Sequence, residues 1–169
     1  MTIPVKKLRK NAILPLHGSA NAAGHDLYAC LEYNDIEIWS GRTIKVPTGI
    51  AVEIPEGYFG AIFARSGLAT KEGLRPANCV GVIDSDYRGE VIVALHNDSE
   101  TYKVIHNGER IAQLVIMPYI SAEFAECDDL EETDRGDGGF GSTGSGIPEG
   151  QMTMEELLGT GRIAPANDA

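Results

Sequence analysis

The chain has 169 residues, 43% of them hydrophobic, and a formal net charge of -11 at pH 7. That length suits one well-buried core and is short for two, and that charge repels a polyanion, which argues against sequence-independent binding along nucleic acid. No run of about 18 apolar residues occurs, so no membrane-spanning helix is expected. The segment Met1 to Lys10 has neither the apolar stretch nor the small-residue cleavage site of a secretory signal, and the expected setting is the cytoplasm, with the nucleus open if the source is eukaryotic. Cys30, Cys79 and Cys127 are odd in number and widely spaced, which fits reduced thiols better than a zinc site or a disulfide framework.

In chain order, the basic cluster Lys6, Lys7, Arg9 and Lys10 reads as the solvated face of a strand, not as a nucleic-acid patch. Short β-rich runs follow at Ile36 to Trp39, Arg42 to Val46, Ile50 to Ile54, Tyr58 to Phe63, Glu90 to Leu95, Thr101 to His106 and Arg110 to Met117. Turn residues such as Pro47-Thr-Gly49 and Pro55-Glu-Gly57 separate them, a pattern that favours a sandwich or barrel. Asn107-Gly108 is the strongest hairpin feature, because a type I′ turn needs positive φ at both central positions. Only Leu68 to Lys71 suggests helix. From Ser121 to Asp137 eight acidic residues stand against one basic residue, Arg135, and Gly136 to Gly150 holds seven glycines; this composition predicts a mobile arm. Thr153-Met-Glu-Glu156 fits a capping box opening a short helix through Leu158, followed by a polar tail.

Three segments carry chemistry-bearing residues. In Val80 to Glu90, Asp84 and Asp86 flank a turn ahead of Tyr87; a carboxylate there suits a general base or a metal, but from this segment alone turn stabilisation, with Tyr87 packed on the sheet, is the better reading. Ala64-Arg-Ser-Gly-Leu-Ala-Thr-Lys71 places Arg65, a hydroxyl and a glycine between a strand and a helical turn, a donor set suited to phosphate; Ser66 as a helix cap with Arg65 on the surface is the alternative. Arg135 to Gly144 sets a single aromatic, Phe140, among glycines, Arg135, Ser142 and Thr143. A linker explains the glycines but not Phe140, which suits a lid that stacks on a base while the backbone approaches phosphates. His17, His25, His96 and His106 lack metal-ligand spacing.

Taken in order, Ala23-Gly-His-Asp-Leu-Tyr-Ala29, Ala64 to Lys71, Gly81 to Glu90, Gly108-Glu-Arg-Ile-Ala-Gln-Leu114 and Arg135 to Gly144 resemble the five motifs of the trimeric dUTPase family, over roughly residues 3 to 144. The resemblance implies an all-β jelly-roll protomer forming a homotrimer, with active sites between subunits and a flexible glycine-rich arm closing each one. It implies a core over residues 1–134 and a lid over 135–144, beyond which residues 145–169 are an extension. The implied reaction is hydrolysis of dUTP to dUMP and pyrophosphate with Mg2+. Asp84 then matches the base that activates water. Arg65, Ser66, Gly67, Gln113, Arg135, Gly141, Ser142 and Thr143 match phosphate contacts. Asn78, Gly81 and Ile92 match the uracil pocket, Tyr87 the deoxyribose floor and Phe140 the stacking lid. Asp26 matches an acidic residue near the metal's waters, the metal being held mainly by the triphosphate.

Two departures stand out: Ala64 replaces a proline common before the motif-two arginine, and about 25 residues follow the last motif, for which a partner-binding helix and a solvated extension are both open. A dCTP deaminase of the same superfamily and a catalytically silent nucleotide-binding module are the competing readings; neither a membrane nor nucleic acid is an expected partner.

Overall fold

The computed structural model describes residues 1–33, 35–142 and 144. Its elements in chain order are β1 Val5–Lys7, β2 Leu16–His17, β3 His25–Tyr28, β4 Ile36–Ile38, β5 Thr43–Pro47, β6 Ile50–Val52, β7 Tyr58–Phe63, α1 Ser66–Glu72, β8 Leu74–Pro76, β9 Gly81–Ile83, β10 Ile92–Asn97, β11 Lys103–Ile105 and β12 Arg110–Pro118. Chain contacts divide the protein into a unit Met1–Glu123 and a unit Phe124–Ala169. All the strands belong to the first.

They form a five-stranded sheet in the order β2-β3-β12-β7-β9, a three-stranded sheet β5-β10-β8, and the pairs β1-β6 and β11-β4. Every pairing is antiparallel, as the expected jelly roll of short strands requires. Alternation drives the packing: in β10, Val93, Leu95 and Asn97 point inward while the residues between them are half-buried or exposed, the period-two pattern of a sheet with one face on a core. Leu27, Ile38, Val46, Ile50, Leu95, Ile105 and Ile111 are among the largest members of that core, each almost fully removed from water. Each such side chain contributes about 1.5 to 3 kcal/mol of burial.

One polar residue sits among them with its bonding satisfied. Asn97 is fully buried, and its Nδ2 donates to the carbonyls of Ile38 at 2.7 Å and Thr101 at 2.8 Å. Its Oδ1 accepts from the Ser99 N–H at 2.9 Å and the Ser99 hydroxyl at 2.7 Å. This amide joins β4, β10 and the loop before β11, a corner where an unpaired polar group would be costly.

The expected hairpin at Asn107-Gly108 is not formed. Strand β11 pairs with β4 and β12 with β3 and β7, and only Gly108 has positive φ, at 78°. The Glu109 N–H donates to the His106 carbonyl, so the turn has the type II form, with positive φ confined to its third residue. Asn107 serves a tertiary contact, its Oδ1 accepting from the Leu31 N–H at 2.8 Å. Helix α1 is longer than Leu68 to Lys71. It ends at Gly73, whose φ of 70° supplies the left-handed cap and whose N–H donates to the Leu68 carbonyl. The helix expected at Thr153 to Leu158 lies outside the described residues.

On β2 and β3, His17 stands opposite His25, with ring centroids 3.8 Å apart. Burial, and then the like charge of His17, hold the His25 pKa below 6.5, partly offset by a hydrogen bond with the Leu114 backbone. The folded protein therefore resists a proton that the unfolded chain accepts, and folding stability contributed by neutral His25 is present above 6.5 and declines as pH falls through that value. In urea titrations at a series of pH values, the midpoint should drop on the acid side of 6.5, and His25→Phe should flatten that slope. An equal slope in both proteins would contradict the assignment.

Candidate active site

The register of the large sheet assembles the first cluster. Gln113 on β12 stands opposite Asp26 on β3 and Phe63 on β7, so three strands deliver a carboxylate, an amide and the entry to Ala64-Arg65 at one level. Asp26 is buried to 9% exposure, where a lone carboxylate would be strongly disfavoured. It is paired twice: Oδ1 accepts from Arg65 Nε at 2.9 Å and Oδ2 from Arg110 Nη1 at 3.2 Å. Arg65 Nη1 also reaches the Arg110 carbonyl at 3.4 Å, and Gln113 Nε2 donates to the Ala64 carbonyl at 2.9 Å.

These groups line a cavity of about 210 Å³ with Gly18, Ala22, Gly24, Ser66 and Gly67. Two guanidiniums against one carboxylate leave it net positive. Arg65 occupies the N-cap position of α1 without a side-chain capping bond, so the Ser66 hydroxyl is not spent on the cap, as it would be in the alternative reading of this segment. A side chain at Gly24 would meet Gln113 Oε1 at 2.7 Å, which keeps the rim thin enough for backbone to approach a ligand. The donor set suits phosphate. Asp26 commits one lone pair of each oxygen to an arginine, leaving others free; beside two cations it fits a hydrogen bond from a metal-bound water better than direct ligation of a dication.

Arg110 is a residue of this cavity that the sequence reading did not single out. Arg110 and Gln113 are three apart, which in a regular strand puts them on opposite faces. A register shift between Arg110 and Ala112 buries the neighbours Ile111 and Ala112 together and turns both polar side chains to the cavity.

The second cluster lies beyond β8. Cys79 adopts φ of 62° in a tight turn in which the Val80 N–H donates to the Asn78 carbonyl at 2.6 Å. Gly81 then enters β9 against Ile62, where an added Cβ would lie 3.2 Å from the Ile62 Cβ and 3.6 Å from Asn78 Nδ2. Asp84 to Tyr87 form a turn closed by the Tyr87 N–H and the Asp84 carbonyl at 3.2 Å, and the Tyr87 hydroxyl donates to the Glu90 carbonyl at 3.0 Å. Asn78, Asp84, Tyr87 and Ile92 all remain exposed.

One chain does not bring Asp84 to the phosphate-type pocket. Ile83 pairs with Gly60 whereas Gln113 pairs with Phe63, so β9 leads away from Arg65 by about 10 Å along the strand direction. Asp84 instead borders a separate cavity of about 770 Å³ together with Glu53, Glu56, Asp86, Arg88 and Tyr119.

The remaining residues belong to the second unit. Arg135 Nε donates to the Gly138 carbonyl at 2.8 Å, and the Ser142 N–H donates to the Gly139 carbonyl at 3.0 Å. Phe140 has φ of 48° and Gly141 93°, with the Phe140 ring fully exposed. Thr143 lies outside the described residues. Among the described residues no helix is long and apolar enough to cross a membrane.

Comparison with known proteins places the chain in a family. The family model dUTPase matches residues 10–144. The deoxyuridine 5'-triphosphate nucleotidohydrolase of Desulfitobacterium hafniense (strain DSM 10664 / DCB-2) is 52% identical over 132 residues, 78% of this chain and 87% of that protein. Among solved structures, the Staphylococcus bacteriophage 80alpha dUTPase with dUpNHpp, a dUTP analogue, superposes with a TM-score of 0.77 at 31% identity, covering 86% of this chain and 99% of that one. A point mutant of the dUTPase from Staphylococcus aureus phage phi11, described with a structural Mg(II) ion, superposes with a TM-score of 0.70 at 25% identity, covering 78% and 100%. A matched segment that contains both clusters, together with relatives covered over most of their length, establishes that the chain belongs to the dUTPase family.

Proposed function

We propose that the protein hydrolyses dUTP to dUMP and pyrophosphate in the cytoplasm, as a homotrimer whose sites lie between subunits. The observation that carries the reading is the cavity framed by Asp26, Arg65, Arg110 and Gln113, a net-positive, donor-lined pocket of phosphate-binding character. Two features support assembly of the site from several copies: Asp84 and the phosphate pocket lie apart within one chain, and Val82, Ile92 and Leu16 leave apolar surface open.

In this reading Arg65, Ser66, Gly67 and Gln113 of one subunit hold the triphosphate, with Arg110 completing the charge and Asp26 orienting both guanidiniums. Asn78 and the backbone at Gly81 meet the uracil edge, Ile92 packs beside it, and Tyr87 forms the floor beneath the deoxyribose. The Asp84 carboxylate takes a proton from a water molecule as its oxygen attacks the α-phosphorus. The bond from that phosphorus to the bridging oxygen breaks, and the electron pair leaves with pyrophosphate. Residues 135–144 act as the lid, Phe140 stacking on uracil while Arg135, Gly141, Ser142 and Thr143 clamp the γ-phosphate. A Mg2+ ion held mainly by the triphosphate would offset the charge that an acidic protein repels, and Asp26 is the residue that would accept hydrogen bonds from its waters.

Pyrophosphate release measured in turn from dUTP, dTTP, dCTP and UTP, each with magnesium and with chelator, tests the assignment. Magnesium-dependent release from dUTP alone is the expected result. Ammonia release from dCTP would favour a deaminase, and a folded protein inert toward every nucleotide would favour a binding module. Asp84→Asn should lower turnover on the order of 10²- to 10⁴-fold with dUTP affinity retained, because the ground-state contacts survive; isothermal titration beside the rate assay separates the two. Near-normal turnover would remove Asp84 from the role of base.

A further inference from the structure

Tyr87 sits in a turn whose residues from Asp86 to Arg88 are exposed, where a tyrosine ordinarily samples several rotamers. Its ring is nevertheless fixed at both ends of a short chain segment. It folds across Gly89, at which any Cβ would collide with the Tyr87 hydroxyl, and that hydroxyl donates to the Glu90 carbonyl at 3.0 Å. The position of the ring therefore depends on what fixes Glu90.

The peptide group of that carbonyl is held by the Val91 N–H, which donates to the Ile50 carbonyl at 2.8 Å, and the Glu90 side chain is anchored from two other places in the fold. Arg9, in the turn after β1, grips its carboxylate with both terminal nitrogens, Nη1 to Oε1 at 2.5 Å and Nη2 to Oε2 at 3.1 Å. The Gly49 N–H donates to Oε1 at 2.8 Å. The Glu90 side chain keeps only 18% of its surface exposed and Arg9 26%, so this fork-to-fork pair is better shielded than an ordinary surface ion pair and carries geometry as well as charge. The hydrogen bond with Glu90 is also the largest cause raising the Arg9 pKa. Arg9 has a second, more exposed partner in Glu32 at 3.2 Å.

We propose that Arg9 is a positioning residue for sugar selectivity: acting through Glu90, it holds Tyr87 as an unyielding floor beneath the sugar and so excludes a ribonucleotide's 2′-hydroxyl. This rests on the placement of Tyr87 under the deoxyribose made above. A steric filter against one added hydroxyl works only if the wall does not move, since a ring free to change rotamer would give way to the extra atom. Arg9 touches no substrate in this scheme, and its influence ends at the Tyr87 ring.

The test compares kcat/KM for dUTP and UTP in the wild type, Arg9→Met, Arg9→Lys and Tyr87→Phe. Arg9→Met should keep kcat/KM for dUTP within about threefold while the dUTP-to-UTP ratio falls roughly tenfold. Arg9→Lys, with charge but no fork, should fall between, and it carries the test if Arg9→Met does not fold. Because Arg9 acts through the Tyr87 hydroxyl, adding Arg9→Met to Tyr87→Phe should lower the ratio no further. An unchanged ratio in the folded Arg9 variants, or losses that add in the double variant, would overturn the proposal. Wild-type protein that fails to turn over dUTP would defeat the functional reading instead. In that event the tyrosine ring resonance identified by its absence in Tyr87→Phe still decides: it must shift in Arg9→Met, and a resonance that stays in place overturns the inference.

Discussion

The pairing of the Asp26 carboxylate with Arg65 and Arg110 is the interaction on which the architecture of this site depends. A carboxylate at this depth persists only if both oxygens are satisfied, and its partners come from two separate places in the chain, one from the segment after β7 and one from the start of β12. Satisfying Asp26 thus fixes two guanidiniums at one side of a cavity, with enough charge left over to attract an anion. Removing either arginine would leave a buried charge short of a partner, so the feature that makes the pocket cationic also makes it rigid. Pre-set donors of this kind need little reorganisation when charge arrives.

A second constraint is topological. Strands β3 and β9 are separated by β12 and β7 in the five-stranded sheet, about 14 Å from strand to strand, and β9 runs away from the pocket toward Asp84. Chemistry that needs the Asp84 carboxylate next to a triphosphate in this pocket is, in the homotrimer proposed above, completed by a second copy of the chain. Pinning of the Asp84 to Glu90 segment by Arg9 and Gly49 then matters at a distance. In the homotrimer proposed above, that segment is the surface offered to a neighbour's pocket.

Much of this was legible in the residues. β-rich runs bounded by turn residues disclosed β4 to β7, β10, β11 and most of β12 and favoured a sandwich or barrel, and the family resemblance narrowed this to a jelly roll. Strands β2, β8 and β9 escaped because two or three residues carry no measurable period: Leu16-His17 is too short, Leu74-Arg-Pro76 contains a proline tolerated only at a sheet edge, and Gly81 opens β9 with no side chain at all. Asn107-Gly108 misled because Asn107 is held by the Leu31 N–H, and a tertiary bond outweighed the local turn preference. Arg110 stayed hidden behind a bulge that breaks the two-residue period on which facing is judged. The residues proposed for phosphate and base recognition were singled out by their types and order and by the family resemblance; their separation within one chain needed the register.

The central claim, that turnover joins the phosphate pocket of one chain to the Asp84 carboxylate of another, is tested most directly by mixing two inactive variants. Asp84→Asn lacks the base, and Arg65→Gln weakens the pocket while keeping a hydrogen bond for Asp26. Unfolded together and refolded as mixed trimers, they should recover dUTP hydrolysis on the order of a quarter of the wild-type rate, the share of sites in which both halves are intact under random assembly. Mixed trimers as inactive as each parent would contradict the account and place the whole site within a single chain.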